Sequence, residues 1–328
     1  MQIRSRAPLR LGLAGGGSDV SPYCDIHGGY VLNVTIDRYA YAVITPRTDN
    51  AVRFIATDKQ EETLLSLADS YPLDGTLNLH KAVYNEIVRS WNNGQPLALE
   101  LSTWCDAPIG SGLGSSSTIV VAMLRAFAEY LNLPLDDYAL AHLAFRIERN
   151  DCGLQGGRQD QYAATFGGFN FMEFYADDRA IINPLRIKEW IVCELESSLV
   201  LFYTGVSRES AKIISDQSTN VSTGNQEAIN AMHGIKQEAL TMKECLLKGD
   251  FSGIIDSMHL GWENKKRSSS SVSSSHIERI YSSAIEAGAL AGKVSGAGGG
   301  GFMMFLTQPE KRMDVIRTLS LFSCTFRI

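Results

Sequence analysis

Three glycine-rich stretches, each set between apolar segments, constrain this 328-residue chain more than any other feature. The central one reads Pro108-Ile109-Gly110-Ser111-Gly112-Leu113-Gly114-Ser115-Ser116-Ser117. An apolar run from Leu97 to Thr103 precedes it and reads as a strand. Thr118 to Leu131 follows, with Ile119, Val120, Met123, Leu124, Phe127 and Leu131 on one helical face. A glycine loop entering a helix N-terminus gathers unpaired backbone N–H groups and the positive end of the helix dipole at one point. Glycines let that backbone close on a ligand, and serine hydroxyls add groups for phosphate or metal. The natural guest is a polyphosphate. Taken alone, the segment fits a flexible turn capped by Ser115, Ser116 or Ser117 equally well.

The first stretch follows an alternating run, Leu9, Leu11 and Leu13 with Arg10 and Gly12 between them, which reads as a strand. It ends at Gly15-Gly16-Gly17-Ser18-Asp19. Arg10 and Asp19 are therefore candidates to face a cleft, or simply an edge-strand arginine and a turn aspartate. Tyr30–Ile36 and Tyr39–Pro46 read as two strands turned at Asp37-Arg38. The run 134–149 reads as a helix. Glu148 stands at its C-terminal end, where the dipole disfavours a carboxylate, so it is a candidate metal contact or a solvated glutamate. Gly153 to Gly157 makes another glycine loop, and Asp160 lies where a short helix starts. It is a candidate to receive a substrate proton or to cap that helix.

The third stretch, Lys293 to Gly301, satisfies G-x-G-x-x-G through Gly296, Gly298 and Gly301. An apolar strand follows it instead of a helix, which speaks against a dinucleotide unit. A loop lying against a neighbouring ligand loop fits better. The composition changes at Ala176 to Arg179, which suggests two domains, 1–176 and 177–328. Lys265-Lys266-Arg267 runs into a serine tract, a candidate anion site or a solvated loop. Residues 324–328 read as a last edge strand.

Formal charge is −6 with no long basic run, which argues against nucleic acid and anionic membrane as partners. No apolar run is long enough to cross a bilayer, and no signal segment opens the chain. The six scattered cysteines fit reduced thiols in a cytoplasmic enzyme better than a disulfide framework.

Together the three loops, and above all Pro-x-Gly-x-Gly-Leu-Gly-Ser-Ser, resemble the GHMP small-molecule kinases. The resemblance implies an α+β fold in two parts: an N-terminal α/β domain and a C-terminal ferredoxin-like α+β domain. It implies ATP between them, held by Pro108, Gly110, Ser111, Gly112, Leu113, Gly114, Ser115 and Ser116. By position, Ser116 and Glu148 match the family's Mg²⁺ contacts, Asp160 its catalytic aspartate, and Arg10 the cation facing the transferred phosphoryl group. The spacing from Glu148 to Asp160 is about one residue longer than in some members. Gly16, Gly17, Ser18, Asp19, Gly157, Asp160, Arg208 and Gly298 are the implied substrate contacts. The first motif is similar to the branch that phosphorylates a heptose 7-phosphate at its anomeric hydroxyl. Gly17 stands where the fucose branch carries tryptophan, which leaves room for a larger or phosphorylated sugar. A kinase of an unphosphorylated sugar and a non-catalytic sensor are the alternatives. A sugar phosphate and ATP are the expected partners, with a homodimer as the expected assembly.

Overall fold

The computed structural model describes residues 2–108, 110–206 and 210–322. In chain order the elements are β1 (Ile3–Ala14), α1 (Tyr23–His27), β2 (Gly29–Pro46), β3 (Ala51–Ala56), β4 (Glu61–Ser66), α2 (Asn78–Trp91), β5 (Leu99–Cys105), α3 (Ser115–Leu131) and α4 (Asp137–Arg146). Then come α5 (Gln159–Phe166), β6 (Phe169–Phe174), β7 (Ala180–Pro184), α6 (Glu189–Ser198), β8 (Leu199–Tyr203), α7 (Ser210–Ser222) and α8 (Gln226–Lys248). The chain continues through α9 (Phe251–Ser268), α10 (Ser275–Glu286), β9 (Ala289–Val294), β10 (Phe302–Thr307) and α11 (Arg312–Leu319).

Strands β4-β3-β5-β2-β6-β7 form one sheet in that order, with β1 paired to β2. All its pairings are antiparallel except β3 with β5. The expected hairpin at Asp37-Arg38 is not there. Gly29–Pro46 is one 18-residue strand. Residues on both sides of Asp37 pair with β1, and the register shifts between Pro8 and Arg10, opposite Tyr39 and Thr35. The charged pair is thus bulged out of a bent strand. The other edge of β2 is shared by β6, along Gly29–Val34, and β5, along Ala40–Pro46. The same irregularity redirects β1: Ile3 and Ala7 enter one apolar cluster, whereas Leu9, Leu11 and Leu13 enter another.

The first cluster packs the sheet on α2, α3 and α4 through residues such as Phe54, Val83, Ile87, Val120 and Phe127. The second packs β1 on α8 and α9 through Met242, Leu246, Ile254 and Met258, and on Phe302, Met304 and Leu306 of β10. N-terminal strands and C-terminal helices therefore share a core, and the cleft above β1 has both halves as walls.

Strands β8-β10-β9 form a separate antiparallel sheet. The expected fourth strand at 324–328 lies outside the described residues. The composition change at Ala176 to Arg179 is the turn between β6 and β7, which pair antiparallel. The first sheet therefore runs on to Pro184, and we propose the boundary between Pro184 and Glu189. The expected 134–149 helix ends at Arg146 and gives way to a π-helical turn, Ile147–Asp151. The serine tract is not solvated throughout: Ser268, Ser269 and Val272 are buried. Among the described residues, five cysteines are free and no helix is long and apolar enough to cross a membrane.

Candidate active site

A cleft of about 300 Å³ opens over the N-terminus of α3. Gly110, Gly112 and Gly114 line it and have φ of 70°, 75° and 78°. These left-handed values at alternate positions explain the glycines. No side chain caps α3. The serines therefore do not act as its caps; Ser115, Ser116 and Ser117 line the cleft. The first turn of a 17-residue helix thus keeps its N–H groups and positive dipole end for a ligand. Leu113 is buried in the second apolar cluster and anchors the loop from below. Ser111 is buried, and its carbonyl accepts from the Phe302 N–H at 2.8 Å.

The third glycine stretch lies on the second, as expected. Ser295 Oγ donates to the Gly112 carbonyl at 3.1 Å. A Cβ on Gly112 would lie 2.5 Å from Ser295 O, and one on Gly301 would lie 2.5 Å from Ser111 O. Backbone meets backbone there, so only glycine fits. Gly298 instead packs against Val272, away from the cleft lining that Gly296 and Ala297 provide.

Arg10 is almost fully buried. Its Nε and Nη2 lie 2.7 and 2.6 Å from Asp160 Oδ1, and its Nη1 donates to the Gly112 carbonyl at 2.6 Å. The strand arginine, the helix-start aspartate and the glycine loop thus meet at one point. Both guanidinium bonds fall on Oδ1, so Oδ2 of the partly exposed Asp160 has no protein partner among the described residues.

Asp19 is saturated instead. Oδ1 accepts from Gly17 N at 3.0 Å and Gln159 Nε2 at 3.1 Å. Oδ2 accepts from Arg158 N at 2.9 Å and Gln159 N at 3.0 Å. It ties the first glycine turn to the N-terminus of α5 and so places Asp160 one residue into that helix. Gly157 leaves the space: a Cβ there would lie 2.0 Å from Asp19 Oδ2. Ser18 is fully buried, bonded around Gly15 and Tyr30, and does not face the cleft. Gly17 lines the cleft, and Gly16 presents its carbonyl to Lys265. Arg208 lies outside the described residues.

Glu148 lies on the cleft wall, 1% exposed, and burial raises its pKa. Gln161 Nε2 donates to its Oε2 and, at 3.0 Å, to Ser117 Oγ. Glu148 Oε1 has no hydrogen-bond partner. The π-helical turn closes through Cys152 N to Ile147 O at 3.0 Å. An i→i+5 ring holds one residue more than an α turn.

Sequence reasoning missed three features. Gln161 joins Glu148 to Ser117; its only signal is its place beside Asp160. Leu79, Cys105, Ala107 and Ile119 make an apolar wall brought together from α2, β5, the loop after it and α3. The basic trio also does not converge: Lys266 pairs with Glu263 at 2.8 Å, Arg267 donates to Asn264 at 2.6 Å, and Lys265 is buried.

Known proteins resemble this chain in sequence and in fold. Residues 78–168 match the GHMP kinases N terminal domain, and residues 242–319 match the GHMP kinases C terminal domain. The chain is 48% identical to the D-glycero-alpha-D-manno-heptose 7-phosphate kinase of Campylobacter jejuni, over 97% of this chain and 93% of that one. It is similar to the crystal structure of a D-glycero-D-manno-heptose 1-phosphate kinase from Bacteroides thetaiotaomicron. The TM-score is 0.83 at 46% identity, covering 98% of this chain and 93% of that one. Galactokinase from Lactococcus lactis, complexed with galactose, shares the fold at TM-score 0.77 and 17% identity. With its phosphate-type glycine loop, its arginine–aspartate pair and relatives of this length and identity, the chain belongs to the GHMP kinase family.

Proposed function

We propose that this kinase transfers the γ-phosphoryl group of ATP to the anomeric C1 hydroxyl of D-glycero-D-manno-heptose 7-phosphate. The product is the 1,7-bisphosphate, on the route to GDP-activated heptose. One observation carries the chemistry: Arg10 joins Asp160 to the carbonyl of Gly112, on the loop that leads into the uncapped helix. The names of the two relatives at 46–48% identity carry the substrate class. Those names differ in where the phosphate sits. Transfer to C1 requires a free C1 hydroxyl, so we assign the resident phosphate to C7.

Phosphoryl transfer through a loose transition state needs placement and charge stabilisation more than covalent help. Gly110 to Ser116 and the α3 N-terminus hold the polyphosphate, and the base rests on the Leu79–Ala107–Ile119 wall. Asp160 Oδ2 accepts or aligns the proton of the sugar hydroxyl. Arg10 fixes Asp160 through Oδ1 and brings positive charge to the phosphoryl oxygens. Glu148 Oε1, buried without a hydrogen bond and with only the Arg149 guanidinium 4.0 Å away, suits a divalent cation, which Ser116 and Glu148 would hold. When bound, Mg²⁺ supplies charge neutralisation on the β- and γ-phosphates.

ADP release should be measured over heptose 7-phosphate, heptose 1-phosphate, unphosphorylated heptose and L-fucose. The highest kcat/KM is expected with the 7-phosphate, with the new phosphate on C1. A higher value for L-fucose or for unphosphorylated heptose overturns the assignment.

A further inference from the structure

Lys265 has no part in the phosphotransfer scheme, yet it occupies an unusual place. It projects from α9 and is 4% exposed. Its Nζ donates to the Gly296 carbonyl at 2.6 Å and to the Gly16 carbonyl at 3.2 Å. No carboxylate pairs with it among the described residues. The neighbouring buried carboxylate, Glu238, is taken by Lys293 at 3.3 Å, and Lys293 also donates to the Leu13 carbonyl at 2.9 Å.

Burying an ammonium on two carbonyls costs free energy that an apolar side chain of similar length would avoid. The two acceptors explain what the charge does there. Gly16 belongs to the first glycine turn, whose Gly17 lines the cleft, and Gly296 belongs to the third stretch, which lies on Gly112. These turns come from opposite halves of the chain.

We propose that Lys265 is a positioning residue that clasps the Gly15–Gly17 turn to the Ser295–Ala297 turn and so sets the width of the sugar end of the cleft. The proposal rests on the phosphotransfer reading above. The surroundings agree with a strained cation. Burial lowers its pKa to about 7, with Lys293 of β9 and Arg10 of β1 acting in the same direction. Glu238 of α8 and Asp19 beyond β1 oppose them.

Two variants test it. Lys265→Met keeps the length and removes the donor; Lys265→Gln restores N–H donors without charge. In substrate-free protein, amide exchange in 15–17 and 295–298 should quicken in Lys265→Met, be slower again in Lys265→Gln, and stay unchanged in α3 and β10. The KM for the sugar phosphate should rise about 10–100-fold in Lys265→Met, with kcat changed less and Lys265→Gln partly rescued. Unchanged exchange in both turns overturns the clasp. So does faster exchange spread evenly over the fold, or a kcat loss with an unaltered sugar KM. If the wild-type protein releases no ADP with any sugar phosphate, the kinase reading falls, while the exchange measurement still decides the clasp.

Discussion

Asp19 and Asp160 meet the same helix start in opposite ways. Asp19 is 1% exposed, and each of its oxygens accepts two N–H groups. Both residues line the cleft, but Asp160 spends only Oδ1, on Arg10, and is partly exposed there. A carboxylate with every lone-pair direction filled holds structure, whereas one with an oxygen left over is available to a substrate. The cations repeat the contrast. Arg10 is paired with a carboxylate beside the glycine loop, and Lys265 is bonded to carbonyls behind it.

The sharpest way to break the comparison is Asp160→Asn. Asparagine keeps an oxygen for Arg10 but loses the base, so kcat should fall about 10²–10⁴-fold with the fold retained. Near-normal turnover in steady-state assays would reduce Asp160 to a structural role like that of Asp19. Arg10→Met frees Asp160 and leaves the Gly112 carbonyl with Ser295 as its side-chain donor. We expect kcat/KM to drop about 10²–10³-fold, as when a charge-stabilising donor is removed.

Glu148→Gln extends the test to the third carboxylate. The apparent Mg²⁺ affinity should weaken about 10–100-fold, read from metal titrations of activity. An unchanged titration midpoint would leave Oε1 without a task. Asp19→Asn should reverse the pattern. An asparagine accepts through one oxygen only, and stranded buried N–H groups cost about 1–3 kcal/mol. Urea unfolding should show that loss, and Gly157→Ala should show it too, because its Cβ would collide with Asp19. A stable Asp19→Asn with a large, isolated loss of kcat would place Asp19 on the catalytic side.

The smallest effect is in pH. The folded pKa of Lys265 lies at about 7, below the ordinary 10.5. Between those values the unfolded chain binds the proton and the folded chain does not, so stability contributed by this group rises with pH across the window. Lys265→Met should lack that component when melting curves of the two proteins are compared at pH 7 and above. Parallel curves would show that Lys265 does not titrate there.

The glycine loop and its uncapped helix were legible because their geometry is local. Glycines at alternate positions, an apolar helix behind and a strand before are all contiguous, and the unpaired N–H groups follow from helix geometry. Arg10 and Asp160 were legible one at a time, through position in a pattern, although 150 residues separate them. The single bent β2 was not legible. Val- and Ile-rich halves around Asp37-Arg38 satisfy a hairpin as well as a bulge, and only pairing with β1 on both sides decides. The burial of Lys265 was hidden for a similar reason: Lys-Lys-Arg running into serines reads as a solvated loop or an anion site until the packed neighbours are known.

By itself, the order of residues determined where backbone N–H groups would gather, which carboxylates and cations stood near glycine turns, and which apolar faces needed cover. Tertiary structure alone decided which of those groups were spent on one another and which were left open. A side chain's chemistry depends on how many of its hydrogen-bonding positions are already filled. That number is set by neighbours from distant segments, as the four N–H groups around Asp19 and the lone arginine on Asp160 show.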